Sequence, residues 1–351
     1  MSEALELSSM PANYGDPAAE YAAVRDGGAG LLDLSARGRI QLSGSEAVPF
    51  LNGLISNDVK ALQPGSWMNA AFPNVQGRLL AAVRILNRGE HFLIDTEQAT
   101  HAKVWALLER FTLAGDFHIT DVTSQTGLIS VQGAAAGAVI GQTLGESVSE
   151  LERERIVTTQ TSEGEEVSVI RATHTGEDGV DIFTNAVDSQ SLWDAFRISK
   201  AQPVGVEALE VLRIEAGLPR YGIDMDETTI LSETNLDDAV SFTKGCYIGQ
   251  EIIARIKYRG HVAKKLTGLV FPEKIGLSHG AKVMVAGRDA GRITSVIWSP
   301  RLERTIALGY VKYDFLAPGT SVRVIQDAIE HAAEVAELPF VRGSWYAGSE
   351  S

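Results

Sequence analysis

The sequence predicts an α+β protein: two related antiparallel-sheet modules with helices on one face, followed by a small β-sandwich or barrel. Three observations carry this. Apolar strands alternate with amphipathic helices as far as His261, a pattern that builds sheets covered on one face. Two strand-to-helix units echo each other, with Thr96 nine residues before Trp105 and Thr184 nine residues before Trp193. Beyond His261 the chain breaks into short β-rich segments separated by Gly and Pro, the mark of a small all-β body. The expected division is 1–261 and 262–345, in keeping with one core per roughly 100–200 residues.

Taken in order, Asp16-Pro17 is a helix start, an N-cap aspartate before proline at the first helical position, and Gly27-Gly28 ends that helix. A strand follows around Arg39–Leu42, then a helix from Ser45 with Leu51, Leu54 and Ile55 at helical spacing. Trp67 to Asp95 reads as strands broken at Pro73-Asn74 and Asn87-Arg88-Gly89. Thr96 then opens a helix with Val104, Leu107, Leu108 and Phe111 on one face, and Val180 to Arg197 repeats the theme. Val206 to Ala216 is a helix closed by Gly217 and Pro219. The later strands are Leu266–Phe271, Lys282–Val285, Gly291–Ile297, Ile306–Val311 and Ser321–Ile325, and the Gly/Ser-rich tail from Arg342 is expected to be frayed.

Composition excludes several classes. With a formal charge of −14 over 351 residues, the surface disfavours broad binding to nucleic acid, which requires Lys and Arg against phosphates. No apolar run reaches the ~20 residues of a membrane helix. Met1 to Asn13 lacks the basic and apolar regions of a secretory signal. A single cysteine suits a reducing compartment, so a cytoplasmic protein is expected.

That cysteine lies in Lys244-Gly245-Cys246-Tyr247-Ile248-Gly249-Gln250-Glu251, between two glycines and just before a helix read from Gly249 to Ile256. A thiol at a helix N-terminus and near cations gains thiolate character, whereas a lone cysteine can equally be a packed hydrophobe. From Lys244 to Lys265 the chain carries Lys244, Arg255, Lys257, Arg259, Lys264 and Lys265 against Glu251 alone, a local charge of +5. A solvated helix face explains this blandly; a site for an anionic ligand explains it more sharply.

A second candidate is a misplaced carboxylate. Ala208, Val211 and Leu212 form the apolar stripe of the Val206 helix, and Glu215 continues it. Glu215 also sits in the last turn, where the macrodipole disfavours negative charge by about 0.3–1 kcal/mol. Local rules broken together mark functional sites; the alternative is an ion pair with Arg213 or Arg220. A buried carboxylate could accept two N–H groups from one edge of a planar heterocycle.

Leu212-Arg213-Ile214-Glu215-Ala216-Gly217-Leu218-Pro219, with Tyr221-Gly222 and Asp224, resembles the signature of aminomethyltransferases, the T-proteins of the glycine cleavage system. The cysteine motif, with Ala254-Arg255 and Lys257-Tyr258-Arg259-Gly260, resembles the hallmark of their relatives, the YgfZ family of folate-binding proteins. Tyr21 to Asp33 and Gly44 to Asp58 are similar to the family's start, and Gly291-Arg292-Ile293-Thr294-Ser295, Ser299-Pro300 and Ala307-Leu308-Gly309-Tyr310 to its C-terminal barrel. The resemblance implies a T-protein-like arrangement of three domains around a central opening that binds tetrahydrofolate or a one-carbon derivative. It implies that Glu215 holds the pterin, that Asn74 and Gly77 of the Asn-x-x-Gly turn contribute to that site, and that Lys264 and Lys265 meet the glutamyl tail. Cys246 becomes the working thiol, supported by Lys244, Gly245, Tyr247, Gly249, Gln250, Glu251, Arg255 and Arg259.

One departure stands out. T-proteins carry an acidic pair after that turn, one of them essential to methylene transfer, and here Ala81 and Ala82 occupy those positions. Without a carboxylate, no side chain there can orient or relay a proton for the folate nitrogens. The resemblance therefore favours a folate-binding accessory protein for iron–sulfur cluster assembly or repair and, through iron–sulfur enzymes, tRNA modification, with assembly proteins or client enzymes as partners. A folate-dependent aminomethyl or demethylating transferase is the alternative, and a binding module with a structural Cys246 the third reading. One cysteine cannot hold a cluster alone, since clusters take four ligands.

Overall fold

The computed structural model describes residues 10–110, 115–145, 148 and 151–346; Phe111, expected on a helix face, and the ends 1–9 and 347–351 lie outside them. The first stretch contains α1 (Pro17–Arg25), β1 (Gly30–Asp33), β2 (Gly38–Ser43), α2 (Ala47–Leu54), β3 (Ser66–Pro73), β4 (Leu79–Asn87), β5 (Phe92–Thr96), α3 (Gln98–Glu109) and β6 (His118–Asp121). The second contains β7 (Thr126–Gln132), α4 (Ala136–Leu144), β8 (Ile156–Gln160), β9 (Glu166–Arg171), β10 (Gly179–Asn185), α5 (Ser189–Ile198), β11 (Gln202–Pro203), α6 (Val206–Glu215) and α7 (Gln250–Arg259). The last contains β12 (Lys264–Val270), β13 (Lys282–Val285), β14 (Arg288–Ser299), β15 (Arg304–Lys312), β16 (Ser321–Gln326) and β17 (Ile329–Ala336).

The strands form a sheet of order β3-β4-β5-β2-β6, a second of order β11-β1-β7-β10-β9-β8, and a closed barrel β12-β15-β14-β13-β16-β17. The first two share one plan. In each, a strand–helix–strand–strand–strand–helix–strand run builds the same order, and the second sheet admits one guest: β1, paired antiparallel with β7 and parallel with β11. The Thr-to-Trp echo marks equivalent places, because Trp105 packs on the core of the first sheet and Trp193 on that of the second. Asp16 caps α1 through the Ala18 amide at 3.0 Å. The α2 helix starts two residues later than Ser45, whose hydroxyl instead donates to Asp116. Among the described residues, no helix is long and apolar enough to cross a membrane.

Two parts of the C-terminal region differ from expectation. Strand β17 is rich in Ala and Glu, good helix formers, so it carries little β signal. A two-residue turn at Asp327-Ala328, both with positive φ, folds it back on β16, from Gln326 opposite Ile329. That is the backbone of a tight hairpin turn without its usual Gly or Asn. The segment expected to fray does not do so before Tyr346. Trp345 lies under the Arg153 guanidinium at 4.3 Å, and the Ser344 hydroxyl donates to Glu177 at 2.7 Å.

Candidate functional site

A cavity of about 780 Å³ opens where the two sheets, the chain after α6 and the barrel meet. Its wall takes Ala82 and Arg84 from β4, His174 from the loop before β10, Arg213 from α6, Lys265 and Thr267 from β12, and Trp345 from the C-terminal segment. Such a volume suits a ligand of drug or cofactor size.

Strand alternation decides which residues face it. On β4, Ala81 is fully buried in the core beneath the first sheet, whereas Ala82 and Arg84 are on the cavity side. Between the sheets the wall is charged. Arg37 donates to Asp95 at 2.8 Å and to Glu97 at 2.6 Å, while Arg84 donates to Asp95 at 2.7 Å and, across the gap, to Asp181 on β10 at 2.5 Å. Burial alone would raise the Asp95 carboxyl, but Arg37 and Arg84 outweigh it and hold the group below its usual range. Asp181 behaves likewise: burial opposes ionisation, and His174 and Arg84 override it. Arg84 Nη2 is buried without a partner among the described residues.

Glu215 is close by but does not face the cavity. Fully buried, it accepts from Tyr21 Oη at 3.0 Å, Arg25 Nη2 at 3.0 Å and Ser299 Oγ at 2.5 Å. Neither Arg213 nor Arg220 is its partner. Arg213 instead reaches Asp224 at 2.8 Å and Glu210 at 2.6 Å, and Arg220 reaches Glu210 at 2.6 Å. Asp224 in turn accepts from Thr294 at 2.6 Å and Ser295 at 2.7 Å. The register of β14 shifts between Ile293 and Ser295, a bulge that turns both hydroxyls toward one carboxylate. The Leu212–Asp224 and Gly291–Ser299 motifs are thus two halves of one polar seam between α6 and the barrel.

The family profile described as "GCVT N-terminal domain" matches residues 6–244, and "Glycine cleavage T-protein C-terminal barrel domain" matches residues 264–342. The chain belongs to the glycine cleavage T-protein family. It is 34% identical over 334 residues to an aminomethyltransferase of Rubrobacter xylanophilus, covering 95% of this chain and 88% of that one. An aminomethyltransferase of Geobacillus thermodenitrificans is 31% identical, with 95% and 92% covered. The crystal structure of glycine cleavage system aminomethyltransferase T from Bartonella henselae superposes with a TM-score of 0.86 at 25% identity, covering 95% of this chain and 92% of that one. The cysteine motif beyond Lys244 falls between the two T-protein profiles.

Within this T-protein fold the motif is a structural clasp. Lys244 is buried, and its Nζ donates to the carbonyls of Asn52, Ile55 and Asn57 at 2.6–2.8 Å, closing the C-terminal end of α2. Burial pulls its ammonium down to about 8, against a smaller opposing pull from Asp58. All three of its ammonium hydrogens are thus engaged by carbonyls at and beyond the end of α2. Tyr247 is buried beneath that ammonium, 4.9 Å from ring centre to Nζ, and burial pushes its hydroxyl up to about 12. Gly249 has φ +82°, and a Cβ there would lie 2.4 Å from the Asn74 carbonyl, so this glycine admits the chain's own turn rather than a ligand. Asn74 accepts from the Gln76 and Arg78 amides at 2.9 and 3.0 Å, and Gly77 packs on Ile252. Neither lines the cavity, so Asn74 and Gly77 shape the β3–β4 turn instead of contacting a cofactor there.

Cys246 is exposed and lies outside the cavity wall. It precedes α7 by a full turn of loop, since the helix begins at Gln250 rather than Gly249. Gly245 has open space around it, and Glu251, Arg255 and Arg259 are exposed on α7, with Gln250 half-buried. Alternation along β12 separates the two lysines. Lys265 lines the cavity, whereas Lys264 stacks 5.1 Å over Tyr310, with Glu233 at 4.0 Å.

Sequence reasoning missed Arg37, Arg84, Asp95, His174 and Asp181. The rule that flagged Glu215 applies to three of them: Arg84 interrupts Ala81–Ile85, Asp95 follows Phe92-Leu93-Ile94 within β5, and Asp181 interrupts Val180–Phe183. Each is a charge inside an apolar strand.

Proposed function

We propose that this chain is a tetrahydrofolate-dependent one-carbon transferase whose ligand occupies the central cavity. The observation that carries it is the cavity itself, placed at the meeting of all three bodies of a fold whose relatives are named aminomethyltransferase. This replaces the accessory role as the leading reading, because those names describe transfer of a one-carbon unit and say nothing of iron–sulfur clusters. Lys265 supplies a cation on the wall for the glutamyl carboxylates. The Glu215 network stands behind the wall as a support.

Calorimetry tests this reading. Tetrahydrofolate should bind with one equivalent per chain, and Lys265→Ala should weaken it about tenfold, equivalent to ~1.4 kcal/mol. Absence of saturable heat with the intact chain would remove the proposal.

A second reading keeps one observation in its favour: Cys246 is exposed on a loop held firmly by Lys244 and Gly249. Here the protein supports iron–sulfur enzymes with Cys246 as the working thiol. In a deletion strain, full recovery of iron–sulfur enzyme activity by Cys246→Ser would end that reading without touching the first.

A further inference from the structure

We propose that His174, oriented by Asp181, is the proton-transferring residue of the cavity and takes the place of the carboxylate missing at Ala82. The inference rests on the transferase reading above and specifies how its chemistry is served.

Three observations point to it. His174 lines the cavity, and its backbone N–H is anchored by Gln132 Oε1 at 2.9 Å. Its ring nitrogen Nε2 lies 3.0 and 3.1 Å from the two oxygens of the fully buried Asp181. Asp181 also accepts from the Arg84 guanidinium at 2.5 Å, which keeps it ionised, so it accepts a hydrogen bond from the imidazole and cannot donate one; Nε2 therefore carries the proton. That leaves Nδ1, which has no hydrogen-bond partner among the described residues, as the basic nitrogen. A carboxylate that fixes one imidazole nitrogen as donor and leaves the other to take a proton is the logic of a positioned general base. Arg84 Nη2, on the guanidinium that holds the same carboxylate, is buried and has no hydrogen-bond partner among the described residues.

The remaining charged groups around the wall are committed elsewhere. Arg37 is held by Asp95 and Glu97, Arg213 by Glu210 and Asp224, and Arg220 by Glu210. Asp33 accepts from the Ser35 amide, Asp238 accepts from Asn69, and Lys265 is on the barrel side. Asp181 and Arg84 are thus the charges that directly govern His174.

The proton inventory gives His174 its task. When an aminomethyl thioether reacts with tetrahydrofolate, two carbon–nitrogen bonds form to the folate nitrogens. The carbon–sulfur bond and the carbon–amine bond break. The two protons lost by the folate nitrogens end on the departing thiol and on ammonia, with no change of oxidation state. His174 Nδ1 accepts a proton from an attacking folate nitrogen and returns it to the departing amine, so the residue is unchanged at the end of the cycle.

The test uses the full-length chain, tetrahydrofolate and an aminomethylated lipoyl carrier. His174→Gln should bind tetrahydrofolate within about threefold of wild type, yet lose about a hundredfold or more in kcat with KM little changed, the lower range for a positioned acid–base group. The pH-dependent limb of kcat should vanish with it. A second measurement needs no variant activity: the imidazole Cε1–H resonance that is absent from His174→Gln should shift when wild type is titrated with tetrahydrofolate. An unmoved resonance despite measurable heat of binding, or an unchanged pH profile in His174→Gln, overturns the assignment and leaves the cavity reading standing. Wild-type protein that binds no tetrahydrofolate, or binds it without any transfer, removes the transferase reading and the role of His174 with it.

Discussion

Glu215→Ala is expected to lower folding stability by about 3–5 kcal/mol, the cost of breaking one side of a buried charged network. The change strips acceptors from Tyr21, Arg25 and Ser299, which come from α1 and the barrel. Arg25 keeps Glu177 at 2.5 Å, so the lost partners are the two hydroxyls and one guanidinium nitrogen. Equilibrium unfolding in urea would register the loss as a lower midpoint at both low and high folate. A variant with wild-type stability but abolished tetrahydrofolate binding would return Glu215 to the role of a pterin holder, against the geometry.

Ala81→Asp and Ala82→Asp should have opposite fates although they are neighbours. Ala81 sits among Ile40, Leu51, Phe72, Ile94 and Val104. A carboxylate there has no hydrogen-bonding partner in an apolar core and costs several kcal/mol even when it is protonated, so the variant should fail to accumulate in folded form. Ala82 faces the cavity with Arg84 two residues along the same face. Ala82→Asp should fold normally and, introduced into His174→Gln, should recover about a hundredfold in aminomethyl transfer to tetrahydrofolate, within the usual span of general acid–base catalysis. Urea midpoints and single-turnover rates measured side by side would check both. A folded Ala81→Asp, or a well-folded double variant with no recovery of rate, would show that the missing carboxylate has been assigned to the wrong position.

These two sites show what the chain made legible. Periodicity identified Glu215 as a carboxylate on an apolar face, and it is indeed buried. Periodicity says which face a residue occupies, but not which element will pack there, so α1 and the end of β14 could not be foreseen as its partners. At Ala81 and Ala82 the resemblance located a departure, and only the strand's two-residue alternation tells which alanine matters. The cysteine motif was legible as something unusual, yet its lysine and glycine answer to local demands: a helix end short of donors and a turn that leaves no room for a Cβ. The barrel was visible from its β-branched strands and turn residues, except where Ala and Glu fill β17. The His174–Asp181 pair was hidden because it joins a loop to a strand through a contact that local spacing does not announce.

Strand β1 has a consequence in time. It leaves the ribosome well before its hydrogen-bonding partners, β7, beginning at Thr126, and β11, at Gln202 and Pro203. At ~5–20 residues per second, Leu31 and Leu32, both fully buried in the finished protein, wait about 5–20 s for the first of those strands to appear. During that interval a short apolar strand has both edges open, the situation in which chains pair with the wrong neighbour. The second sheet cannot close without a piece of chain made long before it. A fragment beginning after residue 34 would therefore lack the strand that joins β11 to β7, and nascent chains stalled before Thr126 are the species that chaperones should be found to hold.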